Sequence, residues 1–427
     1  MALSRVADSA ERIVYRVAGL PVAVWALFGA SENDATDPML SAFIWSYWHP
    51  DGAGDWSELL FGIAAWPVGI LLASAWFTWR NGAVIRRRYG KSVPAQFAEQ
   101  LKLYFSAGVL PPWYYIFSLH DDGARRAATF IQRFETKRCY FPLLKSKKGT
   151  PLNDKSRFAD YCAERAIRCV ETLMHLEGKY PGRQLPDSDL FVKPSKGRGG
   201  RGAERWDRIG PWTFAGPAGE RLGGGDLLSR LVARSRREPL VVQPRLRAHP
   251  DLLNLTAGAL PTVRVLTCFN EEREPEVMAA MLRTSFGNNV TVDNLHAGGI
   301  GALVDLASGA LSRASNLGSD ARLGWLSAHP DTGVAIEGQI VPCWQEAKAL
   351  AVTAHRQFND RVVIGWDIAI LGDGPIIIEG NGNPDLDILQ RFMRVGLREH
   401  RFAKLLAYHL RLRRPAFPAI TANAAYR

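Results

Sequence analysis

"GWDIAILGDGPIIIEGNGNP", residues 365–384, decides how the rest of the chain is read. Residues 362–371 and 375–378 are mostly β-branched and apolar, with Gly372-Asp373-Gly374 between them, which predicts a hairpin. A three-residue loop centred on Asp373 sets Asp367 opposite Glu379. Asn381 shares that face because strand side chains alternate with period two. Gly365 then lies opposite Asn381 and leaves space. Like charges facing each other across a ladder repel, yet two carboxylates and an amide oxygen are a sound ligand set for Mg²⁺, which prefers hard oxygen donors. Two alternatives stay open. A two-residue Asp373-Gly374 turn sends Glu379 to the opposite face, and a sheet rim with solvated acids explains the same residues without a metal.

Upstream lies a second chemical signal, "FVKPSKGRGGRG", residues 191–202. A strand delivers Lys193 at its end, and Lys196, Gly197, Gly199, Gly200 and Gly202 follow in a loop with Arg198 and Arg201. Glycines let backbone N–H groups turn toward phosphate oxygens, and lysine adds a point charge. The lysine precedes the glycines, so this is not a Walker A loop. An RNA-contacting loop is the rival, disfavoured because no stacking-aromatic motif accompanies it. "EPLVVQPRL", residues 238–246, then reads as a strand ending at Gln243-Pro244, with Leu246 beyond, a hinge whose backbone suits an adenine edge. Arg264 in "PTVRVLT" and Arg283 in "MLRTS" each fall within an apolar strand. Such an arginine needs an anionic partner, either a phosphate or an internal carboxylate.

Length and composition set the frame. With 427 residues, 47% of them hydrophobic, the chain makes two or three structural units with a real core. The five cysteines (Cys139, Cys162, Cys169, Cys268, Cys343) are scattered without a Cys-x-x-Cys pair, which argues against a zinc site or a disulfide framework and for a reducing compartment. The net charge of +11 is uneven: residues 193–247 hold 13 basic and 5 acidic side chains, and residues 80–91 add five basic ones and no acid. The first cluster suits a polyanion such as ATP.

The second cluster follows "LLFGIAAWPVGILLASAWFTW", residues 59–79, a run of 21 residues without a charge. As a helix it reaches about 30 Å, the thickness of a bilayer core. Trp56, Trp76 and Trp79 stand near its ends, and the Arg86–Arg88 run places that flank in the cytoplasm. An earlier uncharged stretch, residues 17–30, is short for a span and suits the interface. The alternative is a buried helical hairpin in a soluble protein. A cleaved signal peptide is excluded, because the long run begins too far from Met1.

Between these landmarks, residues 92–145 read as helical and aromatic, broken at Pro111-Pro112. Residues 153–178 predict one amphipathic helix, capped by Asn153 or Asp154, with Phe158, Tyr161, Cys162, Cys169 and Leu173 on one face and Gly178 as its stop. From Leu190 short strands alternate with glycine-rich loops. Helices are expected over 346–358 and 401–412, and a loose tail after Arg414.

In this order (strand lysine, glycine loop, hinge, strand arginine, then Asp…Glu-x-Asn) the chain resembles the ATP-grasp superfamily. More narrowly it resembles the sugar-transfer-associated branch, related to α-L-glutamate ligases. "TPLNDKSRFADYC", "FVKPSKGRGGRG", "VVQPRLRAHPDL", "PTVRVLT", "VDNLHAGGIGALVDLASG", "HPDTG" and "IGWDIAILGDGPIIIEGN" carry the resemblance over roughly residues 90–412. It implies an α+β ATP-grasp fold, two lobes clasping ATP, over 186–412. A helical region over 92–185, an N-terminal region over 1–91 with one or two hydrophobic helices, and a tail over 413–427 complete the expected organisation.

The same resemblance implies roles. Lys193 binds the α/β phosphates, with Lys196 and the loop of Gly197, Gly199, Gly200 and Gly202 closing over the triphosphate. Gln243 and Leu246 border the adenine, although many members carry a ribose-holding acid where this chain has Gln243. Arg264 and Arg283 contact the γ-phosphate or an acyl phosphate. Asp367, Glu379 and Asn381 hold two Mg²⁺ ions, with Mn²⁺ as the substitute. Asp293, Asn294 and His296 border the acceptor, His296 reading equally as a structural histidine. The implied chemistry is ATP-dependent joining of a small-molecule or saccharide-linked carboxylate to an amine at a membrane, with the catalytic part in the cytoplasm and no nucleic acid partner. A phosphotransferase acting on a hydroxyl is one alternative. A non-enzymatic, basic membrane-anchored protein is the other.

Overall fold

The computed structural model describes residues 52–121, 123–146, 149–196, 202–287 and 291–413, together with 39, 42, 43 and 46. The hydrophobic stretch at 17–30, Arg198, Arg201, the glycines at 197, 199 and 200, and the tail after Arg414 lie outside these residues. The chain divides into two compact units: Met1–Lys145 with Leu317–Gly324 and Asp385–Arg427, and Ser146–Asn316 with Trp325–Pro384.

The elements of the first unit are helices among the described residues. Its longest helix, α1 (Ala53–Tyr89), contains the whole uncharged run and ends at Gly90, whose φ of 73° closes the helix with an N–H bond to the Arg86 carbonyl. Helix α2 (Val93–Ala107) starts at the Ser92 cap, whose hydroxyl accepts from the Ala95 N–H. Pro111 then opens α3 (Pro111–Ile116), where a missing N–H costs nothing. Residues 317–324, an excursion from the second unit's chain, bind α1: Asn81 Nδ2 donates to the Ser319 carbonyl and Asn81 Oδ1 accepts from the Ala321 N–H.

The second unit holds two antiparallel sheets. The first contains β1 (Met174–Leu176), β2 (Leu190–Pro194), β3 (Glu204–Gly210), β4 (Thr213–Ala215), β5 (Arg221–Gly223) and β6 (Leu240–Pro244), in the order β1-β6-β2-β3-β4-β5. Helix α5 (Gly224–Ser235) follows β5, and its Leu227, Leu228, Leu231 and Val232 form one core with Leu190, Val192, Leu240 and Val242 of β2 and β6. These strand residues alternate with Phe191, Lys193, Val241 and Gln243, which share the other face.

The expected helix over 153–178 is shorter. Helix α4 (Lys155–Ala163) stops early, Ala166 takes a φ of 53°, and the chain then pairs with the hairpin strand instead of itself. The Val170 N–H donates to the Ile377 carbonyl and the Ile377 N–H to the Arg168 carbonyl. Sheet hydrogen bonds replace helical ones, so Cys169 and Leu173 leave the predicted stripe, and β1 begins at Met174.

The second sheet contains β7 (Thr262–Phe269), β8 (Pro275–Thr284), β9 (Ile300–Val304), β10 (Leu311–Ser315), β11 (Val363–Leu371) and β12 (Gly374–Asn381), in the order β10-β9-β8-β7-β11-β12. Helix α6 (Trp344–Gln357) packs on it. Trp366 lies on the side of His355 and Phe358, with ring centroids 6.4 and 5.5 Å away, so Asp367 points to the opposite face.

The hairpin reaches its expected register by a different route. The expected three-residue loop is a two-residue turn, Gly372-Asp373, because Leu371 pairs with Gly374, whose φ is 111°. That turn alone would set Glu379 on the wrong face. A bulge at Ile378 restores the phase, so Asp367 pairs with Glu379 and Gly365 with Asn381.

Candidate functional site

Three adjacent strands assemble the site. Asp367 on β11 is in register with Arg264 on β7, and Arg283 on β8 is in register with Thr262 at the start of β7. Arg264 donates from Nε and Nη2 to the two oxygens of Asp367, the latter at 3.0 Å. Arg283 Nη2 lies 2.9 Å from Asp367 Oδ2, 3.4 Å from Asp293 Oδ2 and 2.6 Å from the Thr262 hydroxyl. Thr262 in turn donates to Asp293. The space left by Gly365 is used by this arrangement: a Cβ there would lie 2.9 Å from Pro384 and 3.3 Å from the Arg264 side chain.

Electrostatics follow from burial and pairing. Burial alone would raise the Asp367 carboxyl, but Arg264 and Arg283 outweigh it and hold its pKa at about 2. Asp293 shows the reverse outcome. Burial wins over Arg283 and raises its carboxyl above the usual range. Arg283 itself is raised, its burial overcome by Asp293 and Asp367.

Lys193 is 8% exposed at the end of β2. Burial lowers its pKa to about 8, Glu379 and Asp367 pull it back up, and Lys155 pushes it down. Its ammonium therefore lies within electrostatic reach of the hairpin acids, yet it makes no hydrogen bond or ion pair among the described residues. A buried ammonium without a partner is unstable unless an anion joins it. Glu379 has Lys155 as its ion-pair partner among the described residues, Nζ to Oε2 3.7 Å. Four cations (Lys155, Lys193, Arg264, Arg283) thus meet three carboxylates (Asp293, Asp367, Glu379).

Sequence reasoning missed Lys155. The available signal was a lysine immediately after the Asp154 cap, at the positive end of a helix dipole, where a cation is disfavoured unless another group wants it. It also left Asp293 in a general acceptor-pocket role, while the structure makes it the second carboxylate on Arg283. Asn294 caps a short turn by accepting from the His296 N–H, and His296 is exposed. Gln243 is buried on the Lys193 face of its sheet, and Leu246 is half-buried beyond it. Lys196 and Gly202 are exposed on either side of the undescribed loop residues.

The oxygen donors fit Mg²⁺ in kind. Among the described residues no three His, Cys, Asp or Glu side chains are arranged to hold a metal ion, so a metal here would need amide oxygen as well. Asn381 Oδ1 accepts the Asn383 N–H at 2.9 Å, and the buried Asn383 Oδ1 takes no hydrogen bond. Both oxygens of Asp367 are held by guanidiniums, Oδ2 by two and Oδ1 by one, so a metal here would share that carboxylate with the arginines.

Residues 126–404 match the family model described as sugar-transfer associated ATP-grasp. No curated protein matches the chain. Similar solved structures include the D-alanine-D-alanine ligase from Coxiella burnetii, at 9% identity and a TM-score of 0.35, covering 62% of this chain and 59% of that one. The D-alanyl-alanine synthetase A from Vibrio cholerae aligns at 11% identity and a TM-score of 0.35, covering 61% and 65%. An L-amino acid ligase from Bacillus licheniformis aligns at 10% identity and a TM-score of 0.33, covering 58% and 48%. The chain therefore spans less than two thirds of the length of these three structures.

Proposed function

The chain belongs to the sugar-transfer associated ATP-grasp family, and on that premise we propose that it is an ATP-dependent ligase that joins a carboxylate to an amine. The observation that carries the reading is the buried ammonium of Lys193, without hydrogen bond or ion pair among the described residues, within reach of an arginine-rich carboxylate cluster. Lys193 and Lys155 hold the α/β phosphates, and Lys196 with the glycines at 197, 199, 200 and 202 covers the triphosphate. Gln243 and Leu246 border the base.

The carboxylate substrate's oxygen attacks the γ-phosphorus and ADP leaves. The amine then attacks the acyl carbon, phosphate leaves, and the amine's proton passes to solvent. Arg264 and Arg283 supply positive charge to the transferring phosphoryl group and the acyl phosphate, which is the main demand of phosphoryl transfer. No side-chain nucleophile is needed. Asp367, Glu379 and Asn381 are the residues to hold Mg²⁺, two ions in our reading, and the metal supplies charge neutralisation on the phosphates. As phosphate arrives it competes with Asp367 for the guanidiniums and loosens their hold on that carboxylate.

Two coarser features complete the proposal. The family's sugar-transfer association makes a saccharide-linked carboxylate or amine the preferred substrate class. Residues 60–89 form a helix long and apolar enough to cross a membrane, with 33% of its most apolar window buried in the protein, which supports work at a membrane with the catalytic unit in the cytoplasm.

The test is turnover by the purified chain with ATP, Mg²⁺ and pools of carboxylates and amines, with product masses recorded. ADP, phosphate and an amide are expected. A phosphorylated hydroxyl would make it a phosphotransferase. Absence of Mg²⁺-dependent ATP binding would leave a non-enzymatic role.

A further inference from the structure

Five of the large exposed apolar side chains of α1 form one stripe. Phe61, Val68, Leu71, Leu72 and Trp79 are 50–75% exposed, and Ala64 and Ala75 between them are exposed too, a helical spacing with no charge in it. The same stretch has a second, occupied side. Ile70, Ala73, Ser74, Phe77, Thr78 and Asn81 are buried. Gln100 Nε2 donates to the Thr78 hydroxyl at 2.7 Å and Gln96 Nε2 to the Gly82 carbonyl at 3.0 Å. Trp66 packs on Tyr104 and Phe105, with ring centroids 6.0 Å away in both cases. Helix α2 thus runs antiparallel along α1 from Gly82 to Trp66.

That partner decides between two ways of meeting a bilayer. A helix crossing the hydrocarbon would draw α2 in beside it, with the Lys91–Glu99 ion pair and the exposed Lys102. Charges inside the hydrocarbon are expensive and need a protein or water surround. A helix lying along the surface buries only its bare side and leaves α2 in water. Phe105, 63% exposed on α2 beside Trp66, extends the apolar side rather than the polar one. At its carboxyl end α1 presents Arg86 and Arg87, both exposed, to anionic headgroups.

Resting on the membrane reading above, we infer that α1 is an in-plane anchor: its Phe61–Trp79 stripe sits in one leaflet of an anionic membrane and both its ends stay on the same side. Cysteines introduced at Gly52, where a Cβ meets nothing within 4 Å, and at Tyr89, 42% exposed, bracket the helix. The full chain is expressed in bacterial cells, inverted membrane vesicles are prepared, and a membrane-impermeant maleimide is added, with the parent chain as background. Labelling of both Gly52→Cys and Tyr89→Cys without detergent is the expected result. Labelling of Gly52→Cys only after detergent overturns the in-plane geometry and leaves the membrane reading standing. Leu72→Glu, at a position 62% exposed and so without cost to folding, is expected to lower the membrane-bound fraction about tenfold. An unchanged fraction overturns the role of the stripe. Recovery of the parent chain in the soluble fraction, alone or as a dimer through this face, overturns both the inference and the membrane reading.

Discussion

Both compact units bury polar side chains, but of different kinds. In the helical unit they are mostly neutral, and two glutamines are bonded through both ends of the amide. Gln132 accepts from the Leu110 N–H and donates to the Gly108 carbonyl, and Gln390 accepts from the Ile131 and Leu397 N–H groups while donating to the Ile131 carbonyl. Each amide closes a small circuit with backbone, as a buried polar group must. The sheet unit also buries a cluster of charged groups whose pairing is uneven: Asp367 is shared by two arginines, and Lys193 makes no hydrogen bond or ion pair among the described residues. A closed circuit specifies a structure. An open one, with spare cationic charge, specifies a ligand.

The sharpest break of this comparison is Asp367→Ala. It leaves two buried guanidiniums without their shared anion and removes a metal oxygen. We expect ATP-dependent turnover to fall at least about 10³-fold and stability to fall by about 3–5 kcal/mol, the usual cost of breaking a buried pair from one side. Steady-state kinetics and urea unfolding check both. The acid side has a definite sign. The folded carboxyl is held at about 2, below the usual 3.9 of an unfolded chain, so its stabilisation is present above about pH 4 and is lost as pH falls through 2.

Lys193→Met separates ligand from structure, because the two effects have opposite signs. ATP affinity is expected to fall about 100-fold, read by calorimetry, since the change removes a buried cation that has no ion pair among the described residues. Stability of the nucleotide-free protein is expected to rise, because a buried unpaired ammonium is removed; the depression from 10.5 to about 8 bounds the gain near 3 kcal/mol. In the parent protein, kcat/KM for ATP should decline as pH rises through about 8, where the free enzyme loses the charge. Its stability should rise between pH 8 and 10.5, since the unfolded chain binds the extra proton there. A stability loss in Lys193→Met would place that lysine with the closed circuits.

How much of this was legible in the sequence differs by element. The hairpin's apolar alternation and its three oxygen-bearing residues gave the face of the site, because period two depends only on neighbours. The bulge at Ile378 was not legible, since a one-residue insertion is decided by pairing with a second strand. The prolines at 111 and 112 marked a helix break by local sterics alone. The helix over 153–178 failed for the opposite reason: its periodicity was real, but the backbone found partners at Ile377, about 200 residues away. Arg264 and Arg283 were read as needing anions. Which carboxylates would serve depends on sheet order, which no local pattern encodes.

Gln390→Leu tests the other side of the comparison. It removes both halves of a closed circuit and leaves the Ile131 and Leu397 N–H groups unsatisfied, so stability should fall by about 1–3 kcal/mol. The KM for ATP should not change.

The finest test falls inside the site, on the two carboxylates that share Arg283. Asp367 is ionised firmly by its arginines, whereas burial raises Asp293 against its single guanidinium. That asymmetry assigns Asp293 to holding Arg283 in place through Nη2 and the Thr262 hydroxyl, while Asp367 exchanges partners with the ligand. Asp293→Asn keeps the shape and the Thr262 hydrogen bond but removes a charge that burial already penalises. Stability should therefore stay within about 1 kcal/mol, and kcat should drop about tenfold with ATP affinity unchanged, a barrier increase near 1.4 kcal/mol. If Asp293→Asn instead matched the loss in Asp367→Ala, both carboxylates would belong to the reacting centre, and the division between a holding acid and an exchanging acid would fall.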